Sequence, residues 1–139
     1  MKDVIIKLRL TLLTLVLLII ASQLFAQQNT ESFSSFWKTY TTDSNFQKER
    51  TRFPLPCTYY IYEDGLDGSD IPEITENLYE KEWSFFDFHD TPEYKVEIKK
   101  ENNAYNVVLV GKGCGIYVKY IFSLYGSKWY LIKVIDESM

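Results

Sequence analysis

The chain is predicted to be an α+β domain, with N-terminal helices packed on an antiparallel sheet. Three observations predict it. Phe33, Phe36, Trp37 and Tyr40 recur at the spacing of one helix face. Tyr94, Val96 and Ile98 alternate with Glu93, Lys95, Glu97 and Lys99, the period of a half-buried strand. The turn pairs Asn102-Asn103 and Gly126-Ser127 each separate two β-rich runs. Helices followed by a meander of strands is the α+β order.

The first segment reads as an address rather than as part of that fold. Lys2, Lys7 and Arg9 precede an uncharged, mostly apolar run from Leu10 to Ala21, and Ser22-Gln23-Leu24-Phe25-Ala26 follows with a small residue last. That is the order of a secretory signal peptide, and the apolar run is shorter than the roughly 20 residues a spanning helix needs. Residues 1–26 are therefore expected to be removed, with a cut near Ala21 as the alternative, and 27–139 to form one domain. The expected location is the periplasm or the cell exterior, with membrane contact only through the signal before cleavage.

In the remaining chain, Thr30 with Glu31, or Ser32, can cap the helix of the aromatic stripe. Asp43-Ser44 opens a second helical turn over 45–50, with Phe46 pointing inward. Phe53-Pro54-Leu55-Pro56 favours extended backbone, because a residue before proline avoids the α region. Residues 57–62 are rich in β-formers and read as a strand. A second helix is expected from Pro72 to about Trp83, with Ile74, Leu78 and Trp83 as its apolar side. Residues 84–92 fit either a strand or a helix end. In the two hairpins, Ile98 should face Val107, Val96 should face Leu109, Phe122 should face Leu131 and Leu124 should face Trp129. The other side of the last hairpin, with Tyr117, Ile121, Tyr130, Ile132 and Val134 beside Lys119 and Ser123, is also largely apolar. It needs cover from chain termini, a ligand or a partner, and a homodimer through Tyr117, Tyr130 and Ile132 is expected.

Charge narrows the partners. The whole chain carries a net charge of −4, and losing the leader removes three cations and one anion, so the domain is more acidic still. No basic stripe is present to displace counterions, which argues against nucleic acid. Cys57 and Cys114 are an even pair in an oxidising compartment and are the disulfide candidate; two separate buried thiols are the alternative.

The pattern Phe33…Phe36-Trp37…Tyr40…Asp43…Phe46-Gln47…Arg50…Phe53-Pro54-Leu55, closed by Trp129-Tyr130-Leu131…Ile135-Asp136…Ser138, resembles a family of exported gut-bacterial proteins. That family is a domain of unknown function in the nuclear-transport-factor-2-like superfamily. The resemblance spans most of the chain after the leader. It implies a cone, in which a strongly curved antiparallel sheet wraps around the N-terminal helices and leaves a pocket between them. It implies no activity, since fold does not fix function.

Enzymes of that superfamily, ketosteroid isomerase among them, place Asp, His or Tyr inside the cone. Residues 104–135 contain no Asp, Glu or His. The single histidine, His89, lies in Asp87-Phe88-His89-Asp90 and reads as a surface loop residue. Glu63, Asp64, Asp67 and Asp70 offer oxygen ligands, but their spacing misses the calcium-loop pattern, so no metal is assigned. Gly111-Lys112-Gly113-Cys114-Gly115 lacks the spacing of a phosphate loop and reads as a strand connection. No cofactor motif is present. Aromatic residues are the remaining clue: eleven Tyr, nine Phe and three Trp, all but Phe25 beyond the leader. Such rings suit pockets and interfaces. Trp37, Tyr40, Trp83, Tyr105, Tyr120 and Trp129 are the pocket candidates, for a small apolar or sugar-like ligand. The expected function is a non-enzymatic ligand-binding or protein-interaction module, and the alternative is an isomerase- or hydrolase-type enzyme using a pocket in the cone.

Overall fold

A computed structural model describes residues 1, 9, 11–21, 30–62 and 71–139. The chain divides into two compact units, Met1–Glu31 and Ser32–Met139. In the first, residues 11–21 are helical. Among the described residues no helix is long and apolar enough to cross a membrane. The cleavage region and the acidic loop with Asp64, Asp67 and Asp70 lie outside the described residues.

The second unit begins with the aromatic stripe. Helix α1 (Phe33–Tyr40) starts where the Ser32 hydroxyl accepts the Ser35 N–H at 3.2 Å, and it buries Phe33, Phe36 and Tyr40 on one face. Helix α2 (Ser44–Glu49) is capped by Asp43, whose carboxylate accepts the Phe46 N–H at 2.9 Å. The residue it buries is Gln47 rather than Phe46, which is only partly covered. A parallel bridge from Thr51 to Leu131 then leads the chain into the sheet.

Six strands follow: β1 (Leu55–Tyr60), β2 (Glu73–Leu78), β3 (Tyr94–Glu101), β4 (Ala104–Gly111), β5 (Tyr117–Tyr125) and β6 (Lys128–Asp136). Their order in the sheet is β2-β1-β6-β5-β4-β3. Only the β1–β6 pairing is parallel. Both hairpins have the register expected from their turns, with Val96 opposite Leu109, Ile98 opposite Val107, Phe122 opposite Leu131 and Leu124 opposite Trp129. Asn102 takes a positive φ of 52° and Gly126 one of 63°, the backbone such tight turns require.

Three expectations are corrected. The segment 73–78 is strand β2, not a helix. Ile74 and Leu78 are four residues apart, a spacing that suits one face of either element, and pairing with β1 decides it. That pairing is tied by a 2.8 Å bond between the Thr58 and Thr75 hydroxyls. Only Glu80–Glu82 makes a short 3-10 turn, and 84–92 is irregular. Second, Val134 faces the helices. The ladder shifts between Ile121 and Phe122, so that Leu131 and Lys133 pair with consecutive β5 residues and Ile132 is the extra residue of a bulge. Past the bulge the side chains change faces, which buries Val134 beside Tyr120. Third, Ile98 shares the face of Val107 but is 45% exposed, because it extends beyond the helices.

The core lies between α1 and the inner sheet face. Phe33, Phe36 and Tyr40 meet Leu55, Val107, Leu109, Phe122, Trp129, Leu131 and Val134, with Phe88 closing over them from the irregular segment. Phe122 is central, with ring centroids 5.1 Å from Tyr40, 5.7 Å from Phe36 and Trp37 and 5.8 Å from Phe33. Gln47 fastens the lid. Its amide nitrogen donates to the Tyr40 and Phe86 carbonyls at 3.0 and 2.9 Å, and its oxygen accepts the Phe86 N–H at 2.7 Å.

Candidate functional site

The six aromatic candidates do not enclose an open chamber together. Trp37, Tyr40, Tyr105 and Trp129 pack into the ring cluster. Tyr105 stacks on Phe33 with centroids 3.8 Å apart and planes 7° apart, and Trp129 meets both of those rings edge-on. The Tyr40 hydroxyl bonds Thr51 at 3.0 Å. The Thr51 hydroxyl in turn donates to the Gln47 carbonyl at 2.8 Å, so the Tyr40 proton has a fixed acceptor. Trp83 stands apart from this core, with a buried indole N–H that has no partner among the described residues.

Tyr120 is the candidate with chemical surroundings. Its ring packs edge-on to Phe88 at 4.8 Å and Phe86 at 5.6 Å. The phenol is pushed up to about 12, first by burial and then by the Asp136 carboxylate, with Tyr94 and Cys57 adding to it. Asp136 closes β6 opposite Val118 and shares the Tyr120 face. It lies one residue past the acid-free stretch 104–135, and its carboxylate accepts the Ser138 N–H at 3.0 Å. At neutral pH Tyr120 is therefore a protonated donor, not a base. Burial raises Tyr40 as well.

Both phenols have higher pKa values folded than the ordinary 10, so their stabilisation is complete below about pH 10 and is lost as pH rises through the folded values. Urea midpoints should hold steady up to about pH 10 and fall between about 10 and 12. Tyr120→Phe should flatten part of that fall. Parallel curves for the variant and the wild type would remove Tyr120 from the account.

Cys57 and Cys114 are free thiols, which corrects the disulfide candidate. Cys57 sits in β1 opposite Val134, whereas Cys114 lies in the β4–β5 connection beyond β6 and β5. Strands are spaced about 4.8 Å apart, so crossing two intervals already exceeds the usual Cα separation of a bridged pair. The Cys114 thiol instead bonds the Glu93 carbonyl at 3.2 Å. The glycine-rich segment is a strand connection, as expected. Gly115 is required there, since at φ 72° an added Cβ would come within 2.4 Å of the Met139 carbonyl oxygen. His89 and Asp87 are hydrogen-bonded to each other, and both are exposed.

An open concavity of about 380 Å³ lies on the opposite, outer face of the sheet. Its rim is the β3–β4 turn, with Glu101, Asn102 and Asn103. Its walls are Ala104, Lys119, Ile121, Ser123 and Ile135. Asn106 lies in its floor, between Lys99 on β3 and Ile121 on β5, and is 5% exposed. Its amide has no hydrogen-bond partner among the described residues. Beside it Val108 is buried between Glu97 and Lys119, where long aliphatic stems cover it and the charged ends reach water. Glu97 pairs with both Lys95 and Lys99 along that strand, and the two hydrogen bonds hold its carboxyl below the usual range. Lys119 and Glu101 have no ion pair among the described residues. The groove thus offers an ammonium, a carboxylate, amides and a hydroxyl around two isoleucines. The alternation of β3 and β4 puts Asn106 on the same side as Glu97 and Lys99, and that of the last hairpin puts Ile121, Lys119 and Ser123 there; the concavity they line depends on how the two hairpins meet.

No family model matches the chain, and no curated protein matches it. Solved structures similar to it include two from Bacteroides. A crystal structure of a nuclear-transport-factor-2-like protein from Bacteroides fragilis NCTC 9343 aligns with a TM-score of 0.54 at 23% identity, covering 79% of this chain and 48% of that one. This chain thus spans about half its length. An NMR structure of a protein from Bacteroides uniformis ATCC 8492 aligns with a TM-score of 0.52 at 21% identity, covering 76% of each chain. These likenesses show the fold alone: helices on a six-stranded, mostly antiparallel sheet, the fold of the nuclear-transport-factor-2-like protein.

Proposed function

We propose that this domain is an exported, non-enzymatic binding module that holds a small, sugar-like ligand in the groove on the outer face of its sheet. The observation that carries the reading is Asn106. Its side-chain amide has no protein partner among the described residues and opens into the groove, where it can both donate and accept. A ligand hydroxyl in the groove would supply the missing bonds. The volume, about 380 Å³, falls within the range of small-molecule sites. Ile121 and Ile135 suit the apolar face of a sugar ring, and the surrounding amides, Ser123 and Lys119 suit its hydroxyl edge. The enzyme reading has less support, because the interior it needs is packed with rings.

Asn106→Val tests this with two opposed expectations. Removing an amide that makes no hydrogen bond within the protein should leave stability nearly unchanged. Saturable binding of simple sugars, followed by calorimetry on protein from the exported fraction, should weaken by about tenfold or more. The same sample's intact mass should report a mature start at Gln27. Binding undiminished in Asn106→Val would end the groove reading. A homodimer through Tyr117 and Tyr130 would cover this face, so light scattering at the binding concentration should show a monomer when ligand is bound.

A further inference from the structure

The outer face carries a second feature beside the groove. Ser123, in the groove wall, pairs across the hairpin with Tyr130. The Tyr130 ring stands edge-on to Tyr125, with centroids 6.1 Å apart. Arg52 lies over both rings, its guanidinium carbon 4.5 Å from the Tyr125 centroid and 5.7 Å from that of Tyr130. The Arg52 backbone N–H donates to the Leu131 carbonyl at 2.9 Å, so the sheet itself sets where the side chain begins. Arg50 flanks Tyr130 on another side, 5.4 Å from the ring centroid.

Arg52 is exposed and has no carboxylate within ion-pairing distance among the described residues, on a chain whose net charge is −4. Stacking on phenol rings orients a guanidinium without engaging its N–H donors. The guanidinium is held over the two rings with its side-chain donors unpaired among the described residues, so the fork can receive a two-oxygen anion. From this geometry we infer that Arg52, with Tyr125 and Tyr130, is an anion subsite continuous with the groove, and that the ligand is a sugar bearing a carboxylate. The ring lies at the Ser123 end of the groove, between Ile121 and Tyr130, and its carboxylate points to Arg52. The subsite rests on the groove reading above, and it adds the ligand's charge.

Glucuronate and glucose share a ring and differ in the carboxylate, so they serve as the probe pair. Each is titrated into the protein at low ionic strength, with the amide signals of Asn106, Ser123 and Tyr125 followed by NMR. Glucuronate should bind about tenfold more tightly than glucose, with the difference shrinking as salt is added. Arg52→Ala should bring the two affinities together while leaving glucose unchanged. Arg52→Lys, which keeps the charge but loses the fork, should give an intermediate ratio. Unaltered melting temperatures would show that both variants fold. Equal affinities in the wild type, or a ratio that survives Arg52→Ala, would overturn the anion subsite and leave the groove standing. If neither sugar shifts the signals, groove and subsite fall together.

Discussion

Phe122→Ala is expected to lower the unfolding free energy by about 3–5 kcal/mol, a large share of what a domain of this size has. The side chain is fully buried, and four rings from α1 converge on it: Phe33, Phe36, Trp37 and Tyr40. Removing it takes away apolar burial and opens a hole that those rings cannot fill without leaving their own contacts. They are stiff, and Phe33 is already stacked on Tyr105. The helix would thus lose its main grip on the sheet. Urea unfolding at 25 °C measures the loss, with Ile98→Ala as the control. Ile98 is 45% exposed on the same sheet face and should lose about 1 kcal/mol or less. Similar losses for the two variants would mean the ring cluster is not the centre of stability.

Gln47→Leu should cost about 3 kcal/mol although it exchanges one side chain for another of similar size. Gln47 is fully buried and makes three hydrogen bonds, two of them to the Phe86 backbone. Leucine would leave the Phe86 N–H without an acceptor, together with two carbonyls without donors, in a place water does not reach. Unmade bonds of this kind cost more than made ones contribute. The damage should be local before it is global. Phe86 and Phe88 are held over Tyr120 through this clamp, so residues 84–92 should open first. Hydrogen exchange at the Phe86 and Phe88 amides should accelerate by much more than at Val107. Uniform acceleration across the domain would contradict a local clamp.

The parts of the fold that were legible in the sequence were those in which a local pattern and its surroundings agree. The Asn102-Asn103 and Gly126-Ser127 turns set the hairpin registers, and alternation in β3 and β4 chose the buried face. The helix stripe from Phe33 to Tyr40 found the sheet it was shaped for. Local pattern misled where two periods coincide, as with Ile74 and Leu78, which fit a helix or a strand equally well until β1 pairs with them. It also missed the bulge after Leu131, because an extra residue leaves no mark in composition. That one residue moves Val134 inward and brings Asp136 onto the Tyr120 face.

The site was less legible than the fold. Aromatic residues were the natural candidates, yet rings are also what fills a small core, and Trp37, Tyr40, Tyr105 and Trp129 are used for that. Asn106 and Arg52 become notable only through what they lack. One is an amide that no protein group engages and that opens into the groove, the other a stacked cation without a carboxylate, both among the described residues. The sequence alone determined the α+β order, the hairpins, the helix caps and the acidic balance, since each depends on neighbours a few residues apart. Tertiary structure decided strand β2, the bulge, the separation of Cys57 from Cys114 and the groove, since these depend on which distant segments meet. Hydrogen-bond partners and cover from water are properties of that meeting, and no residue carries them on its own.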